Sequence, residues 1–211
     1  MLTRKEIEAS LIERHGEEVH NKLKDAKVAV AGLGGLGSNI AISLVRAGVG
    51  ELMLVDFDRV DISNLNRQQY FMEQLGKYKT EALVENLRRI NPYIRLKTVT
   101  VRVTEDNAAE LFSDYKIVCE AFDRAENKAM LVNTLLEQTD SIIVSGSGMA
   151  GYGRSNEIET KRIMNRLYIC GDRVTDSAAV NGLMAPRVMI CAAHQANKVI
   201  ELIVKGEDNG R

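Results

Sequence analysis

The chain has 211 residues, 45% hydrophobic and 27% charged, with 28 basic against 29 acidic side chains and only two prolines. That balance excludes general disorder, and it gives no electrostatic reason to expect nucleic acid or an anionic membrane as a partner. The length suits one domain with a substantial core, no run approaches the ~20 apolar residues of a membrane span, and the charged opening Met-Leu-Thr-Arg-Lys-Glu lacks the apolar stretch of a signal peptide, so a cytoplasmic protein is expected.

Residues 4–24 set Ile7, Leu11, Ile12, Val19 and Leu23 among many charges, which predicts one or two amphipathic helices. Lys27–Ala31 is predicted as a short buried strand, followed by the turn Gly32-Leu33-Gly34-Gly35-Leu36-Gly37, a helix over Leu36–Ala47 stopped by Gly48 and Gly50, and a second strand over Glu51–Asp56. Residues 57–72 carry little pattern and read as a loop. Next come a helix over Gly76–Ile90, ended by Asn91-Pro92, and a strand over Ile94–Val101. A short helix over Thr104–Phe112, a strand over Tyr115–Glu120, a helix over Ala125–Leu136 and a strand over Ser141–Ser145 continue the alternation. Beyond Gly146 the pattern changes to short glycine-punctuated segments. Asn156–Ile163 and Leu167–Cys170 suggest an antiparallel extension at one sheet edge, and a helix over Pro186–Lys205 closes the chain.

The expected fold is therefore α/β and Rossmann-like, a mostly parallel twisted sheet flanked by helices, with a small antiparallel extension near the C-terminus. Residues 1–211 read as one domain: a helical segment at 1–24, a nucleotide-binding core at 25–145, and the extension with its closing helix at 146–211.

Gly32, Gly34, Gly35 and Gly37 stand between a strand and a helix. There they leave the backbone open to a nucleotide, and the helix N-terminus offers free N–H groups to a phosphate. Close helix–strand packing alone is the competing explanation. Asp56, 19 positions after Gly37, ends the next strand, where a carboxylate can accept from both ribose hydroxyls. NAD, FAD and ATP all satisfy that arrangement.

The following stretch, Ser63-Asn64-Leu65-Asn66-Arg67-Gln68-Gln69 and then Gly76-Lys77-Tyr78-Lys79, fits a polyphosphate better than a redox cofactor. Arg67 offers a planar fork to phosphate oxygens, Lys79 a point charge near a helix start, and Ser63 and Asn64 neutral polar groups. Asp58 and Asp61 share the type of Asp56 without its position and read as solvated loop acids. Asp123 projects from the same carboxyl edge of the sheet, where a lone carboxylate suits magnesium held mainly by water and phosphates, or caps the following helix.

These motifs in this order, Gly-Leu-Gly-Gly-Leu-Gly, Val-Asp-Phe-Asp-x-Val, Ser-Asn-Leu-Asn-Arg-Gln, Gly-x-x-Lys and Phe-Asp, resemble the adenylation domain of ubiquitin-activating-type enzymes, above all the ThiF-like and MoeB-like sulfur-carrier adenylyltransferases. The resemblance is strong over residues 24–145 and returns at Asn181-Gly182-Leu183-Met184-Ala185-Pro186. It implies ATP-dependent adenylation of the C-terminal glycine carboxylate of a small ubiquitin-like sulfur carrier ending in Gly-Gly, releasing pyrophosphate, in a homodimeric enzyme of thiamine biosynthesis. It also implies that Gly35 approaches the nucleotide, Asp56 holds the ribose, Asn64, Arg67 and Lys79 bind the phosphates, and Asp123 holds Mg2+, with Arg67, Lys79 and Asp123 as the catalytic set. A tRNA threonylcarbamoyladenosine dehydratase and a non-catalytic partner-binding subunit are the alternative readings; a nicotinamide oxidoreductase lacks any catalytic-acid signature here.

The chain departs from the family pattern in three places. Its three cysteines, Cys119, Cys170 and Cys191, make no Cys-x-x-Cys pair, so no structural zinc is expected. The N-terminal Arg-Gln segment that lends an arginine across a dimer is unmatched, and Arg14 reads as a solvated helix residue. Cys170 lies where some members keep a reactive cysteine, but its setting Leu-Tyr-Ile-Cys-Gly reads as a strand. His15, His20 and His194 are scattered and expected in surface or capping roles.

Overall fold

The computed structural model describes residues 2–175 and 182–206, so Asn181 of the closing motif lies outside the described residues. Helix α1 (Arg4–His15) starts at a capping box in which the Thr3 hydroxyl accepts from the Glu6 N–H and the Glu6 carboxylate accepts from the Thr3 N–H. Helix α2 (Glu17–Asp25) follows across Gly16.

Seven strands form one sheet: β1 (Lys27–Ala31), β2 (Glu51–Val55), β3 (Arg95–Val99), β4 (Ile117–Glu120), β5 (Ile142–Gly146), β6 (Glu159–Met164) and β7 (Leu167–Gly171). Their order is β3-β2-β1-β4-β5-β7-β6. Every pairing is parallel except β6 with β7. The small antiparallel extension expected at one sheet edge is the β6–β7 pair, and β7 also runs parallel to β5.

The register aligns Ala31 with Val55 on one side and Glu120 on the other, so three strand ends arrive level at one edge. At β1 the chain turns one way to β2 and the other way to β4, and such a reversal opens the crevice where ligands bind in this class of sheet.

Helices α3 (Gly35–Ala47), α4 (Lys79–Ile90) and α7 (Ala185–Lys205) cover one face together with α2, while α5 (Glu105–Phe112) and α6 (Ala125–Gln138) cover the other. Val28, Val30, Leu52 and Leu54 point into the first layer with Ile40, Leu44, Leu83 and Val199; Ala29, Met53, Val118 and Ile143 point into the second with Phe112, Leu131 and Leu135. Burial on both faces is why these strands are unbroken apolar runs rather than alternating ones. The outer strands expose Arg95 and Lys97 on β3 and Lys161 and Arg162 on β6, charges that discourage further strands from pairing.

Three expectations change. Helix α4 begins at Lys79, not Gly76, because the Gly76 N–H donates to the Val60 carbonyl and the Lys77 N–H to the Gln74 carbonyl, closing the preceding loop first. That loop, read as patternless, contains 3-10 turns at Ile62–Asn64 and Met72–Gln74. His20 is not a surface residue: it is 2% exposed, under α1, and among the described residues neither ring nitrogen has a partner. Burial lowers its pKa, which favours the neutral ring.

Candidate active site

At the centre of the carboxyl edge is the glycine turn. Gly32 adopts φ +88°, a left-handed conformation that a side chain resists, and a Cβ there would meet the Ala121 carbonyl oxygen at 2.8 Å and Phe122 Cδ1 at 2.9 Å. Gly37 answers to packing: a Cβ would lie 1.8 Å from the Gly32 carbonyl oxygen. The close-packing explanation therefore accounts for Gly37, whereas at Gly35 a Cβ would meet Val188 at 3.0 Å and the Arg67 stem at 3.4 Å. Gly37→Ala is expected to cost about 3 kcal/mol, at the upper end of overpacking effects. A urea midpoint unchanged by that substitution would contradict the packing account.

The turn is held by Asp56 and Tyr70. One Asp56 carboxylate oxygen accepts from the Leu33 N–H at 2.6 Å and the other from the Asp58 N–H at 2.8 Å, while the Tyr70 hydroxyl donates to the Leu33 carbonyl at 2.8 Å. The Leu33 peptide is thus gripped at both ends. Asp56 is buried, and burial raises its pKa against the opposing effects of the Lys79 charge and the two N–H donors. With two acceptor bonds already made, the carboxylate keeps lone pairs for a further donor.

Arg67 leans its stem on Gly35, and its guanidinium donates to the Ser63 carbonyl at 3.1 Å and to the Asn66 side-chain oxygen at 2.8 Å. No carboxylate pairs with it among the described residues. Its carbonyl accepts from Asn39 of α3, which ties the loop to the glycine turn. Ser63 and Asn64 serve their own turn: Asp61 accepts from the Ser63 N–H and hydroxyl, and the Asn64 side-chain oxygen accepts from the Asp61 N–H. Asp61 is accordingly a turn-capping acid.

Lys79 is buried at the first position of α4, with its ammonium 2.9 Å from Asp58. Asp58, expected as a solvated acid, is the lysine's counter-ion. A cation at a helix N-terminus is electrostatically disfavoured, and this carboxylate offsets that cost.

Asp123 lies just beyond Phe122, the residue that borders Gly32, and it is exposed with no partner among the described residues. It does not cap α6, whose N-cap is Arg124 with no side-chain bond. Behind it sits a group that sequence reasoning missed. Glu120 is fully buried and accepts from Lys128 at 3.0 Å, from the Ser145 hydroxyl at 2.5 Å and from the Phe122 N–H at 2.7 Å. The signal was an acid closing an otherwise apolar strand, since such a carboxylate must find a cation. Gln195 of α7 donates to the carbonyls of Glu120 and Val144, joining the ends of β4 and β5.

The three cysteines are buried and reduced. Burial pushes the Cys170 thiol up to about 11 and the Cys191 thiol up to about 12, away from the thiolate form that attacks or ligates. Cys170 meets Thr160, whose hydroxyl also contacts His194 at 3.0 Å. Native protein is expected to resist iodoacetamide at Cys170, and rapid alkylation there, read by mass spectrometry, would reverse this assignment. Among the described residues no group of three or more His, Cys, Asp or Glu side chains could hold a metal ion by itself, and no helix is long and apolar enough to cross a membrane.

The model of the ThiF family matches residues 8–210. The chain belongs to the ThiF family. ThiF-family relatives include the molybdopterin-synthase adenylyltransferase of Salmonella typhimurium, 33% identical over 88% of this chain and 76% of that protein. The sulfur carrier protein adenylyltransferase of Thermus thermophilus is 41% identical over 51% of this chain and 40% of that one. The chain spans 30% to 43% of several longer relatives named adenylyltransferase and sulfurtransferase. The fold matches the Escherichia coli tRNA N6-threonylcarbamoyladenosine dehydratase in complex with ATP, at a TM-score of 0.86, 22% identity and full coverage of both chains.

Proposed function

We propose that residues 1–211 form one adenylation domain that uses ATP to adenylate the C-terminal glycine carboxylate of a small ubiquitin-like sulfur carrier. The observation that carries this reading is the pairing of Arg67, laid against Gly35 without a carboxylate partner among the described residues, with a buried Lys79 beside Asp56 at the same sheet edge. A redox site needs no such pair of cations; a triphosphate does. The names of the Salmonella and Thermus relatives support the same chemistry. Thiamine biosynthesis is proposed as the pathway because the chain resembles the short form without zinc ligands.

In this reading the glycine turn and the start of α3 receive the nucleotide, and Asp56 accepts from the ribose. Asn64, Arg67 and Lys79 take up phosphate charge. The carrier carboxylate, already ionised, attacks the α-phosphorus; the bond from that phosphorus to the bridging oxygen breaks, and pyrophosphate leaves. No protein base is required, so the contribution of these residues is position and charge neutralisation. Asp123, exposed and without a protein partner among the described residues, fits a magnesium ion held otherwise by water and phosphate, which would neutralise charge on the phosphates.

The test is pyrophosphate exchange into ATP by the purified protein, with and without a carrier ending in Gly-Gly. Exchange that depends on the carrier is expected. Exchange indifferent to the carrier would instead favour activation of another acceptor, as in a dehydratase of this fold.

A further inference from the structure

Lys79 has a single carboxylate partner among the described residues, and the way Asp58 is held is unusual for a loop acid. The Asp58 N–H donates to Asp56, the Asp58 carbonyl accepts from the Lys79 N–H at 2.9 Å, and its carboxylate accepts from the Lys79 ammonium, also at 2.9 Å. The residue therefore meets the proposed ribose acid through its backbone and the proposed phosphate lysine through both backbone and side chain. The two ends of the pair differ in exposure: the Lys79 side chain is 7% exposed and that of Asp58 48%. The solvated member is the acid, and the buried member is the lysine.

An ammonium has three donors on a flexible four-carbon stem, and one fixed acceptor removes most of the freedom of the other two. We infer that Asp58 is a positioning residue, whose carboxylate takes one Lys79 donor and thereby aims the remaining two at the phosphates bound over the glycine turn. Asp56 and Asp58 then divide the work of neighbouring acids, one for the sugar and one for the lysine. The bond persists through the reaction, because a lysine that had to leave Asp58 to reach phosphate would arrive disordered.

This inference rests on the adenylation reading for its kinetics but not for its geometry, and the experiment separates the two. Lysine acetylation by acetic anhydride, mapped by mass spectrometry, is followed in wild-type protein and Asp58→Asn, with and without Mg2+ and ATP. In wild type ATP is expected to protect Lys79; in Asp58→Asn that protection is lost while the other lysines label as before, which also reports an intact fold. Equal protection in both proteins would overturn the inference whether or not the enzyme adenylates anything. In carrier-dependent pyrophosphate exchange, Asp58→Asn is expected to lower kcat about tenfold or more with little change in the KM for ATP. A lowered KM with kcat retained would mean that Asp58 competes with phosphate for Lys79 and would equally overturn it. Wild-type protein whose Lys79 is protected by ATP but which shows no exchange would remove the adenylation reading and leave the labelling comparison to decide the role of Asp58.

Discussion

Arg67→Ala is expected to reduce carrier-dependent pyrophosphate exchange by about 10²–10³-fold, a loss of roughly 3–4 kcal/mol in transition-state stabilisation. The magnitude follows from what the side chain does in the folded protein. Its stem already packs on Gly35 and its backbone is fastened by Asn39, so removing the guanidinium removes charge without rebuilding the turn. Its hydrogen-bond partners are neutral oxygens of its own loop, Ser63 and Asn66, and these do not cancel the charge that a phosphate would meet. Arg67→Lys is expected to recover only part of the rate, because an ammonium lacks the two-pronged geometry of the fork. Exchange within a factor of about three of wild type in Arg67→Ala would take this arginine out of the site.

Arg187→Met is expected to be the most destabilising of the charge substitutions. Arg187 and Asp172 form an ion pair that is almost wholly buried, and the same guanidinium donates to the carbonyls of Gly153 and Arg154. Burial alone would push the Asp172 carboxyl up. N–H donors from Thr175 and Val174, the Thr175 hydroxyl and Arg187 outweigh burial and hold it at about 2. Without the arginine a buried carboxylate is left uncompensated, at a cost of about 3–5 kcal/mol. For a chain of this size that is roughly a 10 °C fall in Tm. Replacing both partners, as Arg187→Met with Asp172→Asn, removes the unpaired charge while keeping an acceptor for Val174 and Thr175 and is expected to restore part of the loss. Because the folded carboxyl lies below its ordinary value, its stabilisation is present above the unfolded pKa and is lost as pH falls from near 4 towards 2. Acid unfolding of Arg187→Met should lose only part of that dependence, since the donors from Val174 and Thr175 still hold the carboxylate. A single variant melting within about a degree of wild type would refute the argument.

What could be read in advance divides along a physical line. The runs Lys27–Ala31 and Glu51–Val55 were legible because burial on both faces leaves continuous apolar segments, each cut off by a glycine or an acid. Gly32, Asp56, Arg67, Lys79 and Asp123 were legible as types at fixed spacing, and all come to one sheet edge. Partnerships were not legible. Asp58 with Lys79, Glu120 with Lys128 and Ser145, and Asp172 with Arg187 join residues 8 to 25 positions apart with no periodic trace. Each becomes visible only when the strands are in register. The start of α4 was misplaced for a related reason: the N–H groups of Gly76 and Lys77 have acceptors in the preceding loop that no helical pattern shows.

The contacts of α7 with the glycine turn bear on the order in which the protein acquires its site. Val188 backs Gly35, and Gln195 latches the carbonyls at the ends of β4 and β5. Val188 stands 153 positions (188 − 35) from the Gly35 it supports, and contacts between such distant segments form slowly. As the chain leaves the ribosome, the first strand, its turn and helix α3 emerge early, and Asp56 and Tyr70 can grip the turn before the backing from Val188 of α7 is made. The backing of Gly35 is then completed only once α7 has been made and has docked on α3.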